Sequence, residues 1–504
     1  MSGIPLVDRA SAFRERTAII APQGRFTYEY LLDQSGRCAA GLLGGQEDLC
    51  EARVAFLTPP GMDYVATQWG VWRAGGIAVP LCVLHPEPEL AYVIDDSQAS
   101  IVVAHPEYEA SLRPVAETRG LRFLTTTELS DAEPGRLPEV ESSRRAMMVY
   151  TSGTTDRPKG AVTTHATIAA QIRSLVEAWA WTAEDHILHV LPLHHVHGIV
   201  NVLCCALWSG ATCEFLPKFD AARVWERFID GSGLTLFMAV PTVYARLIAE
   251  WESAAPERRE AMRAGCERLR LMVSGSAALP VPMLEKWRSI SGHTLLERYG
   301  MTEIGMGLSN PLHGERKPGH VGRPLPGVEI RLRGEDDRPV PDGTPGEIQV
   351  AGPCVFQGYW QRPEVTQEAF TDDGWFRSGD VAVREDGIYR ILGRSSVDII
   401  KTGGYKVSAL EVEDVLRTHA SIGECAVVGI EDPEWGQRVA AAVIPAPGHR
   451  LDLESLRAWG KDRMATYKVP SLLLLVDALP RNPMGKVTKP EVVKLFEQDA
   501  AGTD

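Results

Sequence analysis

Ten residues, TSGTTDRPKG at positions 151–160, follow directly on the apolar run Ala146-Met147-Met148-Val149-Tyr150. A short apolar run of this kind reads as a buried strand. Its break into hydroxyl and glycine residues ending in Pro-Lys-Gly suits a turn whose backbone N–H groups and hydroxyls wrap a polyphosphate. The fold must therefore deliver a strand end to a nucleotide. The turn is not a P-loop: Gly153 is followed by five residues and then Lys159-Gly160-Ala161, where that pattern requires four residues and Gly-Lys-Ser/Thr. A merely solvated Ser/Thr/Gly loop is the bland alternative, and the fixed Pro-Lys-Gly ending counts against it.

Up to about residue 390 the chain alternates short β-like runs with helical patterns. RVAFLTP (53–59), the helix-like MDYVATQWGVWRAG and GIAVPL (76–81) form one such unit; a strand at 234–239 runs into a helix that starts near Pro241-Thr242. LRLMVSGSAALP places a strand at 269–273 before a Ser-Gly-Ser turn. Strand-helix-strand succession predicts largely parallel, doubly wound α/β sheets, with polar residues gathered at one edge where ligands bind. From about 345 short strands and turns take over, including Asp373-Gly374 and Asp386-Gly387, and predict a β-rich subdomain. We place a boundary at 393/394, giving a large N-terminal unit (1–393) and a small mobile α+β C-terminal unit (394–504).

At 504 residues the chain exceeds what one core usually supports. Its 44% hydrophobic and 23% charged composition is that of a globular protein. A net charge of −14 repels nucleic acid and anionic membranes, so neither is an expected partner, and anionic substrates need local cationic pockets. The nine cysteines are scattered in mostly apolar context and read as reduced core residues. The N-terminus lacks the apolar region of a secretory signal, which makes the cytoplasm the default compartment. His194, His195 and His197 could suggest a metal, but with no companion cluster at familiar spacing that reading is set aside.

The loop at 151–160 resembles the [ST]SG[ST]TGxPKG loop of the adenylate-forming superfamily of acyl-CoA synthetases, adenylation domains and luciferases, with Asp156 in place of the usual glycine. That resemblance assigns Thr151, Ser152, Gly153, Thr154, Thr155 and Lys159 to the phosphates of ATP. YGMTE (299–303) resembles the family motif that sets an aromatic ring (Tyr299) on adenine, a threonine (Thr302) on the α-phosphate and a glutamate (Glu303) on Mg2+. Asp380 of RSGD and Arg394 match the ribose-binding pair, against the alternative of a hairpin turn and a solvated arginine. PRNPMGKVTK (480–489) maps the catalytic lysine to Lys486, a mobile cation able to touch both carboxylate and α-phosphate. PLxHxxG makes His195 a gate between acyl pocket and thiol tunnel, and Gly403, Gly404 and Tyr405 match the loop that faces the pantetheine of CoA, past a hinge at 395–398.

Five ordered motifs carry the resemblance over residues 20–495. Within the family, LPLHHVHG, VPTVYARL, LMVSGSAALP and ERYGMTEIGMGLSNP are similar to malonyl-CoA synthetases. By that similarity Arg246 and Arg298 hold a distal carboxylate, Ser276 assists, and Val196 and Met306 bound the methylene. The bland readings are a surface arginine for Arg246, an ion pair with Glu297 or Glu303 for Arg298, and core packing for Met306. The expected ligands are malonate, ATP, Mg2+ and CoA, on a monomer or weak homo-oligomer. A methylmalonate or other small-acid CoA ligase, a carrier-loading adenylation enzyme and a nucleotide sensor are the rival readings.

Overall fold

The computed structural model describes residues 3–151, 158–216, 218–231, 233–403, 405–482 and 485–501. Two sheets carry the larger part. The first runs, in spatial order, Gly358–Tyr359, Lys159–Thr164, Arg145–Thr151, Ile77–Pro80, Arg53–Leu57, Ile101–Ala104 and Arg122–Thr125. The second runs Arg323–Pro324, Gly305–Ser309, Leu296–Met301, Leu271–Ser274, Leu236–Ala239, His186–His189, Thr212–Phe215, Thr17–Ala21 and Gly24–Thr27. Their central strands are parallel; the first sheet turns antiparallel only at its Gly358–Tyr359 margin and stays parallel to its Arg122–Thr125 edge, whereas both margins of the second are antiparallel.

Period-two alternation decides which layer each side chain joins. In Leu236–Ala239, Leu236 and Met238 enter the large core between the two sheets, whereas Phe237 and Ala239 enter a second core under the helices Ala221–Ile229, Pro241–Ser253 and Val281–Ser291. Val54 and Phe56 likewise join the large core while Ala55 and Leu57 face a third, beneath Glu87–Asp96 and Pro106–Thr118. With both faces of both sheets covered, the strands read as continuous apolar runs, as buried parallel strands must. The helices between the sheets, Tyr28–Leu43 and Met62–Arg73, are correspondingly rich in buried positions. Thr27 caps the former by accepting from the Tyr30 N–H, and Gly44 ends it at φ 53°.

The phosphate-turn strand is confirmed as Arg145–Thr151, and its return strand Lys159–Thr164 is antiparallel, with Thr151 opposite Lys159. So short a connection cannot make a parallel crossover. The β-rich region starts earlier than its turn signals suggest, at Glu329–Arg333, a strand whose alternating charges hide it. It forms a four-stranded antiparallel sheet with Gly346–Ala351, Phe376–Glu385 and Ile388–Arg394. Asp386 and Gly387, both at positive φ (53° and 74°), make the two-residue turn joining its last two strands.

Beyond Arg394 a separate sheet is built from Tyr405–Ser408, Ile399–Thr402, Gly436–Pro445 and Ile422–Asp432, with Leu472–Leu475 added alongside. It has its own cores, one under Ala409–Leu416 and Leu453–Lys461, the other under Lys489–Ala501. A buried charge cluster ties the connecting segment to this unit: the Lys489 ammonium is 2.6 Å from Asp398 and 2.9 Å from Glu413, which also meets Arg417 at 3.0 Å. Burial alone would lower the Lys489 pKa, and the two carboxylates more than offset it and raise it. Removing one member of such a buried group strands the others. Lys489→Met is expected to destabilise the C-terminal unit by about 3 kcal/mol, read as an earlier urea transition, with little change in the N-terminal transition.

Candidate active site

A cavity of about 350 Å³ opens where the second large sheet, the antiparallel sheet and the C-terminal unit meet. The strand Leu296–Met301 contributes Glu297, Arg298 and Tyr299, the turn after Leu271–Ser274 contributes Ser276, the hairpin contributes Asp380 and Arg394, and the C-terminal unit contributes Asp398 and Lys486. Parallel strands that end together bring these polar groups to one edge.

Asp380 sits directly opposite Arg394 in the hairpin register, with 3.3 Å between carboxylate and guanidinium. The Tyr299 hydroxyl donates to the other Asp380 oxygen at 2.6 Å, and burial together with that carboxylate pushes the phenol pKa well up. Thr302 lies in the turn between Leu296–Met301 and Gly305–Ser309, next to Glu303. Glu303 is buried and accepts from the Tyr359 hydroxyl at 2.8 Å; burial raises its pKa. Lys159 stands 5.7 Å from the centre of the Tyr359 ring, so the end of the phosphate turn, Tyr359 and Glu303 form one group. Strand pairing of Tyr359 with Ala161 creates it. The Glu303 carboxylate has no cation within ion-pair distance among the described residues, and a hard, oxygen-seeking cation fits that donor.

Arg298 is 4% exposed, and no carboxylate among the described residues lies within ion-pair distance of it, which rules out the pairings with Glu297 and Glu303 considered from sequence. Its Nη2 donates to Ser276 Oγ at 3.4 Å, and its Nε has no partner. Burial lowers its pKa to about 9, so it remains a cation at neutral pH. Gly275 packs so tightly against the guanidinium that a methyl group there would fall 2.4 Å from Cζ. Ser276 holds φ 67°, an uncommon conformation for a residue with a side chain, and its Oγ also meets His197 Nδ1 at 3.1 Å. Burial, aided by Arg298, keeps the His197 pKa low and the ring neutral. Gly275 was not identified from sequence, since nothing local marks it as the floor under an arginine, and His197 was named there only as a metal candidate and set aside.

The other expected residues fall elsewhere. Arg246 lies on the exposed side of Pro241–Ser253, its guanidinium 5.8 Å from the Phe219 ring centre, and is not among the described lining residues. Val196 and Met306 are buried in the large core. His195 lines a second cavity, and burial lowers its pKa to about 4. Gly403 (φ 54°) and Tyr405 form a hairpin turn away from the first cavity, with Tyr405 54% exposed and stacked on Tyr467 at 4.2 Å. Ser152, Gly153, Thr154, Thr155 and Gly404 lie outside the described residues. Lys486 does reach the first cavity, and its backbone N–H donates to Asn482 Oδ1 at 3.0 Å. Its side chain stays accessible because it faces the open cavity; crowding by surrounding protein and then Arg394 lower its pKa, opposed by Asp398 and Asp380.

A family profile described as AMP-binding enzyme matches residues 6–360, and one described as AMP-binding enzyme C-terminal domain matches 411–486. The chain is 51% identical to the mitochondrial malonate–CoA ligase of Mus musculus, over 97% of this chain and 90% of that one. It is 41% identical to the malonate–CoA ligase of Arabidopsis thaliana, over 97% and 87%. The ATP-bound crystal structure of MatB from Rhodopseudomonas palustris superposes with a TM-score of 0.90 at 33% identity, covering 98% of this chain and 99% of that one.

Glu297 provides a test of the cavity's electrostatics. Burial raises its pKa from 4.5 to about 8, although it accepts from the Gly319 N–H. The folded state therefore holds a proton that the unfolded chain releases, a contribution fully present below about pH 4.5 and lost as pH rises through about 8. In Glu297→Gln the decline in melting temperature between pH 5 and pH 8 should shrink by about 2 °C or more. An unchanged decline would mean that Glu297 is ionised throughout.

Proposed function

The chain belongs to the AMP-binding enzyme family, and from that premise we propose that it is a malonyl-CoA synthetase, converting ATP, malonate and CoA to AMP, diphosphate and malonyl-CoA. The observation that carries the acid assignment is Arg298, a buried guanidinium without an anionic partner among the described residues, cradled by Ser276 and Gly275. A buried unpaired charge is costly. A substrate with a second carboxylate satisfies it through charge-assisted hydrogen bonds that a neutral acyl chain cannot make.

In the first half-reaction a malonate carboxylate oxygen attacks the α-phosphorus of ATP and the bond to the β-phosphate oxygen breaks, giving malonyl-adenylate and diphosphate. Lys486 bridges the two anions as they approach, which lowers the barrier electrostatically. Asp380 accepts from the ribose hydroxyls, Arg394 holds Asp380 in place, and Tyr299 lies against adenine. Thr302 donates to the α-phosphate, and the 151–159 turn with Lys159 holds the outer phosphates. Glu303 is the residue that would hold Mg2+, whose contribution when bound is to neutralise phosphate charge. In the second half-reaction the CoA sulfur attacks the acyl carbon, the bond to AMP oxygen breaks, and the thiol proton passes to solvent.

Lys486 in the first cavity, with Gly403 and Tyr405 outside it, supports reading this conformation as the one for adenylation. Rotation about 395–398 exchanges the two elements, brings Gly403, Gly404 and Tyr405 to the pantetheine, and leaves His195 to gate the thiol path. Arg246 engages the outer carboxylate only after its side chain leaves Phe219, so Arg298 carries most of the acid recognition. The nine free cysteines, eight of them buried, support a reducing compartment, for which we propose the cytoplasm; the vertebrate relatives are named as mitochondrial. Among the described residues no helix is long and apolar enough to cross a membrane.

Diphosphate release across acetate, malonate, methylmalonate, succinate and a medium-chain fatty acid tests the assignment. Malonate should be preferred. Arg298→Met should lower kcat/KM for malonate by about 100-fold and Arg246→Ala by about 10-fold, the range expected for charged hydrogen bonds. Preference for acetate or the fatty acid, untouched by Arg298→Met, would discard malonate and leave the adenylating machinery standing.

Lys486→Ala separates the two halves. Adenylate formation in a single turnover should fall at least about 100-fold, while thioester formation from supplied malonyl-adenylate stays within about threefold of wild type. Equal losses in both would remove the alternation of the C-terminal unit.

A further inference from the structure

The three histidines at 194–197 lack a companion cluster in the sequence around them, but the fold supplies one for the first. Cys82 and His85, just past the strand Ile77–Pro80 of the first large sheet, meet His194, which follows the strand His186–His189 of the second. The Cys82 sulfur and one ring nitrogen from each histidine lie within 4.8 Å of one another. Cys82-Val83-Leu84-His85 forms a turn closed by the His85 N–H donating to the Cys82 carbonyl at 3.1 Å, which turns both side chains to one point.

Two further observations mark a cation site. Glu89 Oε2 is 3.4 Å from His85 Nδ1, the arrangement in which a carboxylate orients a ligating imidazole and leaves Nε2 for a metal. Among the described residues neither ring nitrogen of His194 has a hydrogen-bond partner; its neighbours are the rings of His85 at 5.8 Å and His195 at 4.0 Å. The cluster opens on a cavity of about 800 Å³, also lined by His195 and Asn482, with room for a solvent ligand. One thiolate and two imidazoles suit a borderline-soft ion and offer nothing to Mg2+, which demands oxygen.

We propose that Cys82, His85 and His194 bind one Zn2+, with water in the fourth position facing the second cavity. The bound ion would pin the two large sheets together beside His195 and near Asn482, which belongs to the segment that presents Lys486. Its own position does not touch the adenylation cavity.

Co2+ is the optical probe and Zn2+ the competitor, both added to the full chain free of other metals. Wild type should bind one Co2+ per chain with a thiolate-to-metal charge-transfer band, and one equivalent of Zn2+ should abolish the band. Cys82→Ser should lose the band, and His85→Gln and His194→Asn should each weaken Zn2+ binding by about 100-fold. Cys50→Ser, which removes the exposed cysteine, should bind as wild type does. Diphosphate release without added zinc should be unchanged in Cys82→Ser, which shows that the fold survives. No band in wild type, or an equal band in Cys82→Ser, would overturn the proposal.

Discussion

A guanidinium withdrawn from water, with no carboxylate beside it among the described residues, is the interaction on which this molecule depends. Arg298 cannot escape its charge by titrating, since even at a pKa of about 9 it stays protonated near neutrality. The fold compensates only partly. Ser276 offers one long hydrogen bond at the expense of a left-handed backbone, and Gly275 gives up its side chain to make room. His197, kept neutral by burial, holds the Ser276 hydroxyl without adding positive charge. What is left unsatisfied is the charge that the malonate proposed for this site would neutralise, so that binding it would also relieve the protein.

The remaining charges follow a similar logic. Asp380 and Arg394 neutralise each other across a hairpin, and the neutral Tyr299 hydroxyl, from the neighbouring sheet, donates to the same carboxylate. Glu303 is different: among the described residues its carboxylate accepts a side-chain hydrogen bond from Tyr359 alone, and burial raises its pKa. Asp398 joins the site to the C-terminal unit, since one of its oxygens accepts from the Arg394 N–H at 2.9 Å and the other meets Lys489. The rotation proposed at this segment would therefore disturb Arg394.

Much of this was legible in the sequence because it is local. The apolar strand before the phosphate turn and the Asp386-Gly387 hairpin follow from period and turn chemistry, and the pairing of Asp380 with Arg394, expected from the family resemblance, spans fewer than twenty residues. The charged strand Glu329–Arg333 was missed because its apolar residues are too few to show alternation. What needed the fold was contact between distant segments: His197 with Ser276, Gly275 beneath Arg298, and Cys82 with His194 each depend on which strands end side by side. Arg246 shows the converse. Its helix was correctly placed, but one turn of a helix does not reveal which way a long, flexible cation points, and here it rests on Phe219.

The division of labour between the two units follows from the charges each half-reaction requires. An acid that must stay bound through both steps is best held by a group that never moves, and Arg298 sits on an interior strand, third from the edge of the nine-stranded sheet. The charge that helps form the adenylate would hinder the next step, because an ammonium on the α-phosphate and carboxylate would keep holding the group that the thiol must displace. In the proposed mechanism, placing Lys486 on a short segment of the smaller unit, anchored by Asn482 and outside any strand, would let that charge leave while the acid stays. A rigid anion site on the sheet and a removable cation on the small unit are thus two answers to one electrostatic problem, and neither would serve in the other's place.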